Sequence, residues 1–342
     1  MKILVLMDNT SGVAFHRLFT PYARIQQDFG IEVNVSQTPN DWVNIKFKEF
    51  DCVIFNRWLG LHQYNILEQI RKAEIPIIVD IDDYWVIPRS NPAYAMYRKY
   101  IKNMTKDCIK LADAITCSTT ILANKIYELN SKIHIMPNAL DFSQPQWNQQ
   151  KQKQDKFTIG WVGGITHYQD LTMVDNAIKG FCEQYDAEFL MCGYHAESSE
   201  WHKCEKAITG KSIENRPNWF KTIRGTRADL YGQSYALFDM CIAPLQETNF
   251  NQYKSELKIV EASAYRLPIV VSDVNPYIMH SDNSGVVFTN NTEEEWFNAI
   301  EGVYKLGNIF DMGQKNHEYC NIRHNLYDIN KKRVELIKSL CS

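Results

Sequence analysis

The chain is 342 residues long, 45% apolar and 23% charged, with a formal net charge of −3. That length exceeds one ordinary core and makes two domains the default, while the slight acidity argues against a dedicated nucleic-acid binder and still allows a local basic patch. No apolar run reaches the roughly 18 residues of a membrane span, residues 1–7 lack the length and cleavage site of a signal peptide, and nine cysteines without paired spacing fit reduced thiols, so the expected location is cytoplasmic.

Short apolar runs predict strands at 2–7, 31–35, 51–56, 76–81, 114–117 and 133–136, with helices at 14–29, 63–73, 93–111 and 119–129 between them. Such alternation means parallel strands with crossover helices on both faces. The polar, Gln-rich stretch 143–156 has no apolar periodicity and reads as a linker. The pattern then restarts with a strand at 157–162, a tight turn at Gly163-Gly164 and a helix at 170–185. Strands follow at 188–192, 220–224, 240–244, 267–272 and 285–288, and 327–340 is an amphipathic helix. The expected architecture is α/β: two Rossmann-like, doubly wound domains, 1–142 and 157–325, facing across a cleft at the carboxyl ends of their sheets. A C-terminal helix over 326–342 can cross back to the first domain.

In the first half, His16 and Arg17 at a helix start and Arg57 after the third strand could meet acceptor or donor phosphates. Asp80-Ile-Asp82-Asp83-Tyr84-Trp85 ends the fourth strand with three carboxylates and two aromatics. Three readings stay open there: a metal-binding Asp-x-Asp, a charged strand-end loop, or Asp82 and Asp83 orienting or deprotonating an acceptor hydroxyl with Trp85 as a sugar platform. The stretch 89–110 carries Arg89, Arg98, Lys99, Lys102, Lys106 and Lys110 against Asp107 alone, interleaved with Tyr94, Met96, Tyr97, Tyr100 and Met104. A solvated helix face is the commonest explanation. The same helix also suits peripheral contact with an anionic membrane, a lipid diphosphate or a nucleic-acid backbone.

In the second half, Cys192, His195, His202 and Cys204 lie close together but match no standard zinc spacing, and no metal site is assigned. The most informative segment is 251–273, which reads as a loop, a helix and, from Pro268, a buried strand. Lys254, Lys258 and Glu261 fall at i, i+4 and i+7, so one helical face presents two cations and a carboxylate near its N-terminus. The first turn offers unpaired N–H groups and partial positive charge, so two lysines there describe a phosphate or diphosphate pocket. Glu261, two turns on, could accept hydrogen bonds from sugar hydroxyls. An amphipathic helix with solvated lysines is the bland alternative.

Taken in order, these pieces resemble the two-Rossmann-domain (GT-B) glycosyltransferases, and most closely the group 1 or family 4 set that uses nucleotide sugars. The resemblance runs over nearly the whole chain: Ser11-Gly12-Val-Ala-Phe-His16-Arg17 is similar to the glycine turn facing the acceptor, and residues 112–119 and 136–141 to two further stretches of the family, the latter closing the first domain. Ile159-Gly-Trp-Val-Gly163-Gly164 is similar to the first strand and loop of the nucleotide-binding domain, and 251–273 to the donor-binding helix and its strand. There are departures. Of the family's Glu-x7-Glu pair, Glu261 matches the second member while Tyr253 stands at the first, and Gly164 and His167 occupy the region of the usual Arg and Lys.

The resemblance implies a nucleoside-diphosphate sugar donor, a hydroxyl acceptor that can be anionic, no cofactor, and retention of anomeric configuration without a metal. Donor contacts would come from Gly163, Gly164, His167, Lys254, Ser255, Leu257, Lys258 and Glu261, the last on the ribose. Acceptor contacts would come from Gly12, His16, Arg17, Arg57 and Trp85, and catalytic roles fall to Asp82, Asp83, Lys254 and Lys258. The rival readings are a nucleotide-sugar 2-epimerase, a silent sugar-nucleotide binder, and a transferase acting on phage DNA bases, in which nucleic acid enters only as acceptor. Peripheral contact through 89–110 would bring the protein to the inner membrane face.

Overall fold

The computed structural model describes residues 1–7, 12–91 and 94–342. Ser11 of the glycine turn and Ala93, the expected first position of the basic helix, lie outside them. The chain divides into two compact units. The first comprises Met1–Asp141, Tyr253–Ser255 and His324–Ser342, and the second Phe142–Gln252 and Glu256–Arg323.

The first unit is built on β1 (Lys2–Leu6), β2 (Glu32–Ser36), β3 (Cys52–Asn56), β4 (Ile77–Ile81), β5 (Ala114–Cys117) and β6 (Ile133–Ile135). They form one parallel sheet in the order β2-β1-β3-β4-β5-β6. Alternation along the strands sends successive side chains to opposite faces. Leu4, Leu6, Val53, Phe55 and Val79 thus join a core with Trp42, Phe47 and Trp85, while Ile3, Val5, Ile54 and Ile78 pack against the helices Thr20–Phe29 and Leu326–Cys341. Runs buried on both faces are the mark of a parallel sheet covered on two sides.

The second unit repeats the plan with β7 (Thr158–Val162), β8 (Glu188–Tyr194), β9 (Phe220–Arg224), β10 (Met240–Ala243), β11 (Ile269–Ser272) and β12 (Val286–Thr289), ordered β12-β11-β10-β7-β8-β9. This is the 3-2-1-4-5-6 order of dinucleotide folds. Ile159, Trp161, Phe189, Met191, Met240 and Ile242 meet helix residues Phe181, Trp201 and Trp296 in one core.

The expected helix 170–185 is divided into Tyr168–Thr172 and Asp175–Tyr185, and the helices Ser199–Thr209, Glu293–Lys305 and Ile309–Arg323 complete the layers. Glu293–Lys305 is well terminated: Thr292 accepts from the Glu295 amide, and three glutamates occupy the first turn, where the helix dipole favours them. The stretch 143–156 carries a turn, Pro145–Trp147, that packs into the second unit. Its Trp147 ring lies against Tyr231 and Tyr235 and is so close over Gly232 that a Cβ there would stand 2.7 Å from it.

Candidate functional site

In the second unit the sheet order reverses between β7 and β10, and a crevice beyond the carboxyl ends of two such strands is where doubly wound sheets hold ligands. The loop leaving β7 is Gly163-Gly164 followed by the turn Ile165–His167. Packing requires glycine at Gly163, where a Cβ would sit 2.5 Å from the Trp161 ring. Its carbonyl in turn occupies the place of a side chain on Gly193, whose φ of +104° belongs to glycine and whose Cβ would meet that oxygen at 2.1 Å. Gly164 is exposed, and a Cβ there would meet Thr166 Oγ1 at an ordinary 3.9 Å. Asp170, buried, ties the two crevice loops together. One of its oxygens meets His167 Nδ1 at 2.9 Å, and the other accepts from the Gln246 amide at 2.9 Å and from Asn251 Nδ2 at 3.2 Å.

The helix Leu257–Ala264 follows β10. Lys258, in its first turn, donates to Glu261 Oε2 at 2.8 Å. Glu261 is 1% exposed, and it also accepts from the Tyr235 hydroxyl at 2.6 Å and from the Tyr231 hydroxyl. Burial first, and Glu261 beside them second, hold both phenols well above their ordinary pKa, so both remain donors. The result is one cation fixed by a buried carboxylate, next to the unpaired amides that open the helix, Leu257 among them. Such an end attracts an anion.

In the first unit Arg17, expected to meet ligand phosphates, is instead a buried anchor. Its guanidinium forks onto Asp80 at 2.6 and 3.1 Å and donates to the Met136 carbonyl and Asn138 Oδ1. Asp80 also accepts from Thr116 and Asn56. His16 is buried as well, and Gly12 opens a short helix with no atom within 4 Å of a Cβ. Trp85 is 3% exposed within the apolar core, so its ring serves packing and has no open face for a sugar.

Arg57, left-handed at φ 56°, forks onto Asp82 at 2.7 and 2.6 Å and donates its remaining arm to the Tyr97 hydroxyl. Burial opposes the charge of Asp82, yet Arg57 and Asn56 together hold its carboxyl below the usual range. Asp83 differs: burial pushes its carboxyl up, while Lys254 at 3.7 Å and Arg57 at 3.9 Å pull it back.

Lys254 and Lys258 do not share a helical face. The helix begins at Leu257, and Tyr253–Ser255 belongs to the first unit, where Lys254 faces Asp83, Tyr253 packs on Tyr84 and Ser255 accepts from Asn138 Nδ2 at 2.6 Å. The i, i+4 count misled because the chain ahead of Leu257 is a 3-10 turn, Asn251–Tyr253, and a bend rather than a continuation of the helix. Sequence reasoning also missed Asn56, Tyr97, Asn138, Asp170, Tyr231 and Tyr235. Asn138 lies inside the stretch 136–141 and Tyr97 inside the basic stretch without their partners being legible, and Tyr231 and Tyr235 lie in a 3-10 segment, Tyr231–Leu237, that no apolar period announces.

Residues 156–305 match the family described as glycosyl transferases group 1. The teichuronic acid biosynthesis glycosyltransferase TuaH of Bacillus subtilis is 26% identical over 209 residues, 57% of this chain and 49% of TuaH, so the match spans about half of that relative's length. Among solved structures, Anabaena Alr3699/HepE in complex with UDP and glucose is similar over 99% of this chain and 100% of its own, with a TM-score of 0.71 at 14% identity. Sucrose-phosphate synthase from Thermosynechococcus elongatus is similar over 99% of both chains, with a TM-score of 0.70 at 13% identity.

Proposed function

We propose that this chain, a GT-B protein whose second unit carries a group 1 glycosyltransferase domain, moves a sugar from a nucleoside-diphosphate sugar to a hydroxyl acceptor. The observation that carries the reading is that the matched stretch 156–305 contains both the Gly163-Gly164 turn and the helix bearing Lys258 and Glu261. The Lys258 side chain and the first helical amides, of Leu257 and Lys258, stabilise the departing diphosphate, where negative charge develops. Glu261 serves the donor by holding Lys258 in place, with Tyr231 and Tyr235 fixing the carboxylate. The Gly163-Gly164 turn lets backbone approach the donor, and His167, oriented by Asp170, borders it.

On the first unit, Asp83 is the group suited to take the acceptor proton, since its carboxyl is the one held above the ordinary range. Asp82 is committed to Arg57 and positions that loop. Retention without a metal is proposed from the family 4 resemblance, and a uridine diphosphate donor from the UDP complexes of the similar fold. Peripheral contact with an anionic membrane is proposed for the outward side of the basic stretch, where Arg98 and Lys99 stand exposed beside Met96 and Tyr100. Among the described residues no helix is long and apolar enough to cross a membrane.

A panel of labelled nucleotide sugars, incubated with the protein and no acceptor, tests the reading. Slow hydrolysis of one donor supports a transferase. Epimerised donor would make it an isomerase, and binding without turnover a silent receptor.

A further inference from the structure

Two thiols meet in the first unit. Cys52 opens β3 and is fully buried, and Cys341 closes the helix Leu326–Cys341. The Cys341 Sγ lies 3.5 Å from the carbonyl of Asp51, the residue before Cys52, and Cys341 packs against the core cluster that holds Cys52. Of the nine cysteines, Cys341 alone is partly exposed. We propose that Cys341 and Cys52 form a peroxide-responsive pair, Cys341 reacting and Cys52 resolving, which closes to a disulfide fastening the last turn of the helix to the first sheet.

The surroundings divide the roles. The neighbouring Cys52 thiol lowers the Cys341 thiol below its ordinary range, while Cys341 and burial push Cys52 far up. The thiolate therefore collects on Cys341, and a thiolate with solvent access beside a second thiol is the arrangement that peroxide oxidises selectively. The Cys341 sulfur attacks one peroxide oxygen, the O–O bond breaks, and hydroxide leaves a sulfenic acid behind. The Cys52 sulfur then attacks the Cys341 sulfur. The S–O bond breaks, and the departing hydroxide takes the Cys52 proton as water. Two thiols have given up two electrons, and one peroxide has become two waters.

The test treats the whole protein with hydrogen peroxide, alkylates it in denaturant and digests it without reduction. The expected result is a linked pair of peptides holding Cys52 and Cys341, with titratable thiols falling from nine to seven. A higher melting temperature, reversed by reductant, should accompany the link, because a tie across so long a stretch restricts the unfolded chain. Cys341→Ser, at a half-exposed position that leaves the core intact, should abolish link and shift together. Cys52→Ser should leave a sulfenic acid on Cys341 that dimedone captures. Recovery of Cys341 as sulfinic acid with Cys52 still reduced, or of a link between two chains, overturns the proposal.

Discussion

Lys258 and Glu261 act as a unit, and that makes their effects separable by experiment. Lys258→Ala removes a charge-assisted contact to a developing charge, which typically raises the barrier by about 2–4 kcal/mol, and turnover should fall accordingly; it also leaves the buried Glu261 carboxylate without its cation, so the melting temperature should drop with it. Glu261→Gln should act through the same lysine, so the double variant should be hardly worse than Lys258→Ala alone. Additive losses in UDP-sugar binding would instead show Glu261 touching the ribose directly. Lys254 gives a pH signature. It favours the ionised form of Asp83, so Lys254→Met should keep Asp83 protonated to higher pH and move the acid limb of the kcat/KM profile upward. An unmoved limb would exclude Asp83 as the base. Asp82 works with the opposite sign in stability. Its folded pKa is depressed, so its contribution is present above the unfolded aspartate value and is lost as pH falls through the folded one. Asp82→Asn should therefore destabilise at neutral pH, and the gap from the parent should close in strong acid. Denaturant titrations at several pH values would measure it.

Among the elements, the β8 strand shows how a backbone detail supports a site some residues away. Gly193 accepts the Gly163 carbonyl where a side chain would stand, at a φ that other residues occupy at a cost of about 1–3 kcal/mol. Gly193→Ala should lower stability by more than that, since its Cβ would also clash with the Gly163 carbonyl at 2.1 Å, and weaken donor binding more than its distance along the chain suggests, as calorimetry and UDP titration would show. The basic helix makes a second prediction. Its inward side buries Ile101, Met104, Cys108 and Ile109, so only the outward residues are available to a surface. Replacing Arg98, Lys99 and Lys102 with Gln should reduce binding to anionic vesicles, most at low salt, and leave UDP binding unchanged. These elements were largely legible in the sequence, because strands buried on both faces leave unmistakable apolar runs. The site was legible only in part. Glu261 and the Gly163-Gly164 turn could be read from motifs, but the partners of Arg17, Asp82 and Asp170 come from distant strands and loops, and local periodicity says nothing of such pairings. Trp85 was misread for a related reason: an aromatic after a charged strand end looks exposed until the core beneath the sheet is known.

Across the whole molecule, the same α/β plan is used twice, yet the two units are threaded differently. The second is nearly continuous, broken by Tyr253–Ser255 alone, whereas the first is completed by residues 324–342. Leu326, Ile329, Val334, Leu336 and Ile337 of that last helix fill one face of the first sheet's core. Removing residues 326–342 should therefore expose that face and unfold the first unit while the second keeps its structure, which hydrogen exchange resolved by unit would reveal. That threading also bears on the order of events at the ribosome. β1 to β6 emerge early, but the apolar face that the helix covers must wait while residues 142–323 are made, roughly ten to forty seconds at ordinary rates of synthesis. During that interval the second unit has its full set of strands and can fold, so the half of the protein that is translated first is the half that finishes last. A first sheet with one apolar face only partly covered, by the helix Thr20–Phe29, is what a nascent-chain chaperone would recognise, and the growing chain should be most prone to aggregation between the completion of β6 and the arrival of the final helix.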